Sequence, residues 1–476
     1  MTATMRRRGA VLLVGGVAAT MLLAACGSSS TTSESSAAPA ESSAAPSEAA
    51  SEAPSSEAAV PAGCEAYAAY TGSEGTSVTL FTSVLPPEQQ RYEDAWKPFE
   101  DCTGIDIVYE GSDQFEAQLP TRIAGGNAPD LAWIPQPGLL AKLVQAGGPV
   151  PAPQGVSDNV DQYYNPAWKA YGTVDGTFYA APNSSNMKSF VWYSPKVFAE
   201  KGYTVPTTWD EMFALSDQMV ADGIKPWCGG IESGGATGWP ATDWIEQIVL
   251  RQFGGDVYDQ WVAHTVLFDS PEITAAMDTL AGWMKNGDYV NGGFGNVQTI
   301  ATTAFQDAGS PILDAECGML QQASFYAAQW ESFKPGAVVA EDGDVFAFFL
   351  PQISDEFPNP VVGGGEFTTA FSDRPEVQAV QTYLSSAEYA TARASQPGGW
   401  VSANSGVPLD TYTDAIAGLS AKYLTDPAGI FRFDASDLMP AAVGAGSFWT
   451  GMTAWFGEDA PTQEVLAEID AAWPAS

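Results

Sequence analysis

Positive charge is scarce in this chain, and histidine is almost absent. Its 476 residues include 19 lysines and arginines against 57 aspartates and glutamates, with His264 the one histidine. Nucleic-acid binding relies on clustered basic side chains that neutralise phosphate, so this balance argues against it. It argues equally against a body that hugs anionic lipid, and otherwise speaks to solubility more than to fold. His264 leaves histidine-based catalysis a single candidate, and it reads as a packing or surface residue. The five cysteines show no Cys-x-x-Cys spacing, which argues against zinc. The longest apolar run, Val11 to Leu23, falls short of the ~20 residues of a membrane span. No Gly-x-Ser-x-Gly elbow occurs, and no Gly-Lys-Ser/Thr follows the triple glycine Gly363 to Gly365. No tandem repeat of solenoid period is present.

What the N-terminus does have is ordered. Arg6, Arg7 and Arg8 precede the apolar run, which ends on Leu23-Ala24-Ala25-Cys26. Basic residues, a short apolar stretch and small residues before a cut describe a secretory signal. Its L-A-A-C ending resembles the lipobox of bacterial lipoproteins, which implies cleavage before Cys26, acylation of its sulfur, and a signal peptide over 1–25. Residues 27–63 are almost wholly Ser, Ala, Glu, Pro, Thr and Gly. Lacking aromatics, they cannot bury enough apolar surface to offset ordering, so 26–63 is expected to be a disordered spacer behind the lipid.

The body, 64–476, is too long for one core and should form two lobes. Cys64, Cys102, Cys228 and Cys317 allow three pairings, and an exported domain favours disulfides. Cys64–Cys102 with Cys228–Cys317 would staple each half and is the arrangement expected. Strand and helix signals alternate: a strand from Ser77, a helix over 87–100, a strand at 105–110, a helix at 114–124, a strand at 130–134. That pitch implies βαβ units and a parallel sheet, with ligands beyond the carboxyl ends of its strands. Thr82 to Gln89, Gly111 to Gln114 and Pro135 to Gly138 then share one rim. Thr208-Trp-Asp-Glu211 is a capping box opening a helix over 209–221. Later helices are expected at 243–253, 271–286, 375–391 and 463–472.

Three segments carry a family resemblance: AGGNAPDLAWIP (Ala124 to Pro135), VWYSPKVFAEKGYTVPTTWDEM (Val191 to Met212) and GGGEFTTAF (Gly363 to Phe371). In order and spacing they resemble the extracellular solute-binding proteins of carbohydrate ABC importers, in particular the α-glucoside or maltose-type group. The resemblance implies an α/β, two-lobed periplasmic-binding-protein-like fold of type II. Each lobe would be a mostly parallel sheet flanked by helices, with a hinge and a cleft between them. Lobe 1 would take about 64–185 and 330–390, lobe 2 about 186–329 and 391–476. It further implies a monomeric receptor rather than an enzyme, without cofactor, held by lipid on the outer face of the cytoplasmic membrane. There it would close on a neutral oligosaccharide, such as maltose, trehalose or sucrose, and deliver it to an ABC permease.

A sugar offers apolar C–H faces and a ring of hydroxyls, so its site needs aromatic platforms and short polar side chains. Among fifteen tryptophans, Trp239, Trp400 and Trp449 sit in loop-like stretches rich in glycine and serine and are the candidate platforms, with Phe325. Trp244 and Trp455 are weaker ones. Polar candidates are Ser83, Glu88 and Gln89 after the first strand, Asp113 and Gln114 after the second, and Gln136 after the third. Asp243, Glu366 and Asn404 join them. Maltose-type relatives commonly place an acid where Gln136 stands, which puts that contact in doubt. Other readings are a receptor for a polyol, a β-linked oligosaccharide or a sugar phosphate, in which case Lys188 or Arg393 would serve the anion. A secreted glycoside-active enzyme with paired carboxylates, and an adhesive lipoprotein without a ligand, stand further off.

Overall fold

The computed structural model describes residues 62–424 and 429–475, so the signal segment, Cys26 and nearly all of the spacer lie outside the described residues. Fourteen strands are present among them: β1 Ser77–Thr82, β2 Asp106–Gly111, β3 Leu131–Ile134, β4 Thr173–Val174, β5 Thr177–Phe178, β6 Ala180–Pro182, β7 Asn186–Met187, β8 Phe190–Tyr193, β9 Lys225–Cys228, β10 Cys317–Gln321, β11 Phe346–Phe349, β12 Pro360–Gly364, β13 Phe367–Ala370 and β14 Ile430–Phe433. The first sheet runs β2-β1-β3-β13-β6, the second β11-β8-β10-β9, and a small third one β14-β12-β7. β1 lies parallel to β2 and β3, while β13 runs antiparallel to β3 and β6. In the second sheet β9 and β10 are parallel and β8 opposes β10 and β11.

Alternation along the first sheet feeds two cores. Leu80, Leu131 and Trp133 pack on one face with Tyr92, Trp96 and Phe99 of the helix Glu88–Thr103. Phe81, Ala132 and Ile134 pack on the other with Phe115 and Leu119. A strand buried on both faces reads as a continuous apolar run, which is what LAWI of β3 shows. The second sheet carries the largest core, where Trp192, Trp227, Met319 and Leu320 meet the helices Trp239–Val262 and Pro271–Met284. Thr208 and Glu211 form the capping box, with Glu211 N donating to Thr208 Oγ1 at 3.2 Å and Thr208 N to Glu211 Oε2 at 3.2 Å.

The chain passes between the large sheets on short crossings, and each supplies a strand to the third sheet. β7 lies between β6 and β8, and β12 between β11 and β13. A third crossing falls between Val407, packed in the first lobe, and Ile416, packed in the second, shortly before β14. Hence Phe346–Phe349 pair with β8 in the second sheet, although 330–390 was expected in lobe 1. Ala394, Trp400 and Val407 pack in the first lobe, although 391–476 was expected in lobe 2. Strands of two to five residues carry too little periodicity to reveal such crossings.

Both expected disulfides form, Cys64–Cys102 and Cys228–Cys317, the second joining β9 to β10. The expected helix 375–391 is two, Pro375–Leu384 and Ala387–Ala394. Ser385 ends the first, and Ser386 caps the second by accepting from Tyr389 N. His264 stacks on Trp473 at 4.0 Å and its Nε2 lies 3.0 Å from Asp470 Oδ1, a packing role at the C-terminal helix. No helix among the described residues is long and apolar enough to cross a membrane.

Candidate functional site

A cleft holding about 1210 Å³ of space, its open mouth included, lies between the two large sheets. One wall follows the carboxyl ends of the first sheet: Ser83 and Glu88 after β1, Asp113 and Glu116 after β2, Gln136 after β3. The facing wall follows the second sheet, with Trp239 beyond β9 and Phe325 beyond β10. The crossings supply the floor: Ser184, Asn186 and Lys188 around β7, Glu366 between β12 and β13, and Asp434 and Asp437 after β14.

Three half-buried aromatic rings cover the second wall. Trp239 meets Phe305 edge-on at 4.9 Å and Phe325 at 6.1 Å. Trp239 was read as a loop residue because glycines precede it, but it opens the helix Trp239–Val262. Gly238, at φ 112°, makes that entry and abuts the carbonyl of Trp449 too closely for any Cβ. Trp400 and Tyr92 line the first wall, and Trp449 reaches the cleft from its helix. Gln136 Oε1, Asn186 Oδ1, Trp400 Nε1 and Trp449 Nε1 belong to lining residues, are buried, and lack a hydrogen-bond partner within the protein. Orphaned buried polar atoms are costly, and these four stand where a hydrogen-bonding ligand could satisfy them.

The charges at the floor are paired. Lys188 Nζ lies 2.9 Å from Asp243 Oδ1, 2.5 Å from Asp434 Oδ2 and 5.2 Å from the ring centre of Trp239. Burial opposes its charge, yet Asp243, Asp434, Asp437 and Glu246 together hold the ammonium well above the usual lysine range. Asp243, Glu246 and Asp434 stand close enough to suggest a cation site, but Lys188 already brings its ammonium to two of the three. Burial, then Glu88, pushes Glu366 up to about 8, and its side chain bonds to Ser184 Oγ on the neighbouring crossing. Glu88 is also raised, by burial, against the pull of Arg393 and Arg91.

Nine of the thirteen residues expected from sequence line the cleft: Ser83, Glu88, Asp113, Gln136, Trp239, Phe325, Glu366, Trp400 and Trp449. Gln89 instead donates to Glu93 one turn along its own helix at 2.8 Å. Gln114 faces Gly234 and Gly235 across the cleft mouth. Asp243 lies beneath Lys188 rather than in the lining. Asn404 accepts from Gly406 N at 2.8 Å, fixing its own turn. Trp244 and Trp455 are core residues. Gln136 Nε2 donates to Glu116 Oε1 at 3.1 Å, so the neighbouring helix brings a carboxylate to the place where Gln136 lacks one. Glu116, Tyr92, Phe305, Asp434 and Asp437 escaped the sequence reading; only the rim position of Glu116, two residues past Gln114, signalled it.

Comparison with known proteins agrees with this geometry. The family model described as bacterial extracellular solute-binding protein matches residues 84–396. The osmoprotective compounds-binding protein GgtB of Synechocystis sp. is 38% identical over 399 residues, 83% of this chain and 92% of that protein. The alpha-glucosides-binding periplasmic protein AglE of Rhizobium meliloti is 33% identical over 411 residues, 84% and 87% of the two chains. Among solved structures, the solute receptor AcbH superposes with a TM-score of 0.70 at 19% identity, covering 84% of this chain and 97% of AcbH. Maltose-bound MalE3 of T. maritima gives 0.63 at 16%, covering 83% and 98%.

Proposed function

The chain belongs to the bacterial extracellular solute-binding proteins, and on that premise we propose that its cleft captures a neutral α-glucoside for an ABC importer. The family makes it the substrate-binding receptor of an importer for sugars or related solutes. The aromatic trio Trp239, Phe305 and Phe325 carries the saccharide reading. It faces a wall of carboxyl and amide groups, as C–H faces and hydroxyls require. Neutrality follows from the cations: Lys188 already pairs with Asp243 and Asp434, and Arg393 is fully buried behind the lining rather than part of it, so neither is offered to a phosphate or a sugar acid. The α-linkage rests on the similarity to AglE and on the sequence segments quoted above. GgtB, named for osmoprotective compounds, favours a second reading within the same chemistry, a small glycoside accumulated against osmotic stress.

Sugar held between the walls draws them together, because binding shifts a population only by its differential affinity for the closed state. Lipid on Cys26 would tether the receptor outside the cytoplasmic membrane, with the 27–63 spacer giving it reach to a permease. Catalysis is not needed for any of these steps.

The experiment is thermal unfolding of the full-length chain with maltose, maltotriose, trehalose, sucrose, cellobiose, a glucosyl polyol and sugar phosphates. A ligand at one hundred times its Kd stabilises by about 2.7 kcal/mol. A raised midpoint with an α-linked neutral sugar, and no product by chromatography, is the expected result. A shift with a sugar phosphate alone, or with none of the panel, contradicts the proposal.

A further inference from the structure

Among the described residues two arginines are fully buried, and the protein treats them differently. Arg251 donates to the carbonyls of Leu350, Pro351 and Gln247 and to the Gln247 side chain. Arg393, on the helix Ala387–Ala394, has no hydrogen bond from Nε or either terminal nitrogen. Its nearest carboxylate oxygen is Glu88 Oε1, 3.7 Å away. Its guanidinium instead stacks on Tyr92 at 4.4 Å and Trp400 at 5.3 Å. Glu88, Tyr92 and Trp400 all line the cleft, and Arg393 stands directly behind them. A buried cation with its donors unspent is expensive, and a chain with so few basic residues has placed one here.

We infer that Arg393 is a positioning residue for the saccharide site: from behind the lining it braces the Tyr92 and Trp400 rings and keeps Glu88 a charged hydrogen-bond acceptor. The inference rests on the saccharide reading of the cleft. Charged acceptors form the stronger hydrogen bonds to hydroxyls, and cation–π contact fixes ring planes that a sugar face needs flat. Burial works against a charged Glu88, and Arg393, with Arg91, opposes it. The other groups that face this cluster are Glu366 from the crossing, Tyr109 from β2, Tyr389 from the helix of Arg393, and Lys188 across the floor. Of these, Glu366 titrates nearest to neutrality.

The test is calorimetric titration of the full-length chain with the sugar that stabilises it, at pH 5.5 and pH 7.5. Arg393→Met should weaken binding at least tenfold at pH 5.5. The ratio of variant to wild-type Kd should be smaller at pH 7.5 than at pH 5.5, because without Arg393 burial raises the Glu88 carboxyl further. Because Arg393 also acts on Glu366, the comparison is made in a Glu366→Gln background, which removes that group from the titration. Arg393→Lys, which keeps the charge, should restore most of the affinity and a ratio independent of pH. Glu88→Gln should cost a similar factor, and the double variant Arg393→Met/Glu88→Gln little more than either alone. A ratio that is the same at both pH values, or losses that multiply in the double variant, would show Arg393 to be merely structural. Should Arg393→Met fail to fold, Arg393→Gln, which also removes the charge, carries the same comparison. Absence of any sugar binding by the wild type would overturn the saccharide reading and this inference with it. Binding untouched by these changes would overturn the inference alone.

Discussion

Gly234 stands where the two walls meet, and an alanine there should cost sugar affinity over and above a small loss of stability. Gly235 N donates to the carbonyl of Asp113 at 2.9 Å, joining the turn after β9 to the rim after β2. A Cβ on Gly234 would lie 2.4 Å from Asp113 O and 2.7 Å from Gln114 Nε2, contacts no real Cβ makes. The substitution has two costs that separate experimentally. Gly234 sits at φ +55°, and forcing alanine into that region costs about 1 kcal/mol whether the cleft is open or closed. The clash with Asp113 arises only when the walls touch. Overpacking costs about 1–3 kcal/mol and a lost hydrogen bond about 0.5–1.5. Even the low end, about 1.5 kcal/mol, weakens sugar binding roughly tenfold. Gly282→Ala is the control: it lies inside the helix Pro271–Met284 with open space around its Cβ, so it should leave Kd unchanged. Titration calorimetry reads Kd, and the ligand-free unfolding midpoint reads the backbone strain. Unchanged affinity in Gly234→Ala would refute closure on the Asp113–Gly234 contact.

Other consequences follow from the same geometry. Trp239→Ala removes the centre of the aromatic trio and should weaken sugar binding by about 2 kcal/mol or more, some thirtyfold, read by tryptophan fluorescence titration. Glu366, held up to about 8, binds its proton more tightly folded than unfolded. Its stabilising contribution is therefore full below the ordinary glutamate range and lost as pH rises through about 8. Between pH 6 and pH 9 the unfolding midpoint should fall further in the wild type than in Glu366→Gln, and equal falls would show that Glu366 does not titrate there. Thr208→Ala breaks the capping box and should cost about 1 kcal/mol in denaturant unfolding, with sugar affinity intact. Gly282→Ala should gain about 0.5–1 kcal/mol in the same assay.

The first wall was legible because local signals build it. β1, β2 and β3 keep their apolar runs within continuous βαβ units, so Ser83, Glu88, Asp113 and Gln136 could be placed at one rim from the order of elements alone. The floor is different in kind. Lys188, Glu366 and Asp434 meet only because β7, β12 and β14 pair across some 245 residues of chain, through strands too short to show a period. Phe305 arrives on an irregular stretch that no pattern announces, and Arg393 hides on a helix whose sequence reads as ordinary. Trp239 was found for a mistaken local reason: the glycines ahead of it signal a helix entry pressed against Trp449 rather than a loop. Aromatic and polar composition revealed which residue types would serve the site, whereas long-range pairing decided which copies did.

The central claim is that the cleft between the sheets binds a neutral saccharide on the Trp239 platform. Its most direct test is calorimetric titration of the full-length chain with an α-linked disaccharide, beside Trp239→Ala. Saturable binding of one sugar per chain, weakened at least tenfold by Trp239→Ala, is the predicted result. Binding unaffected by Trp239→Ala would place the sugar elsewhere on the molecule, and no binding of any neutral saccharide would contradict the claim outright.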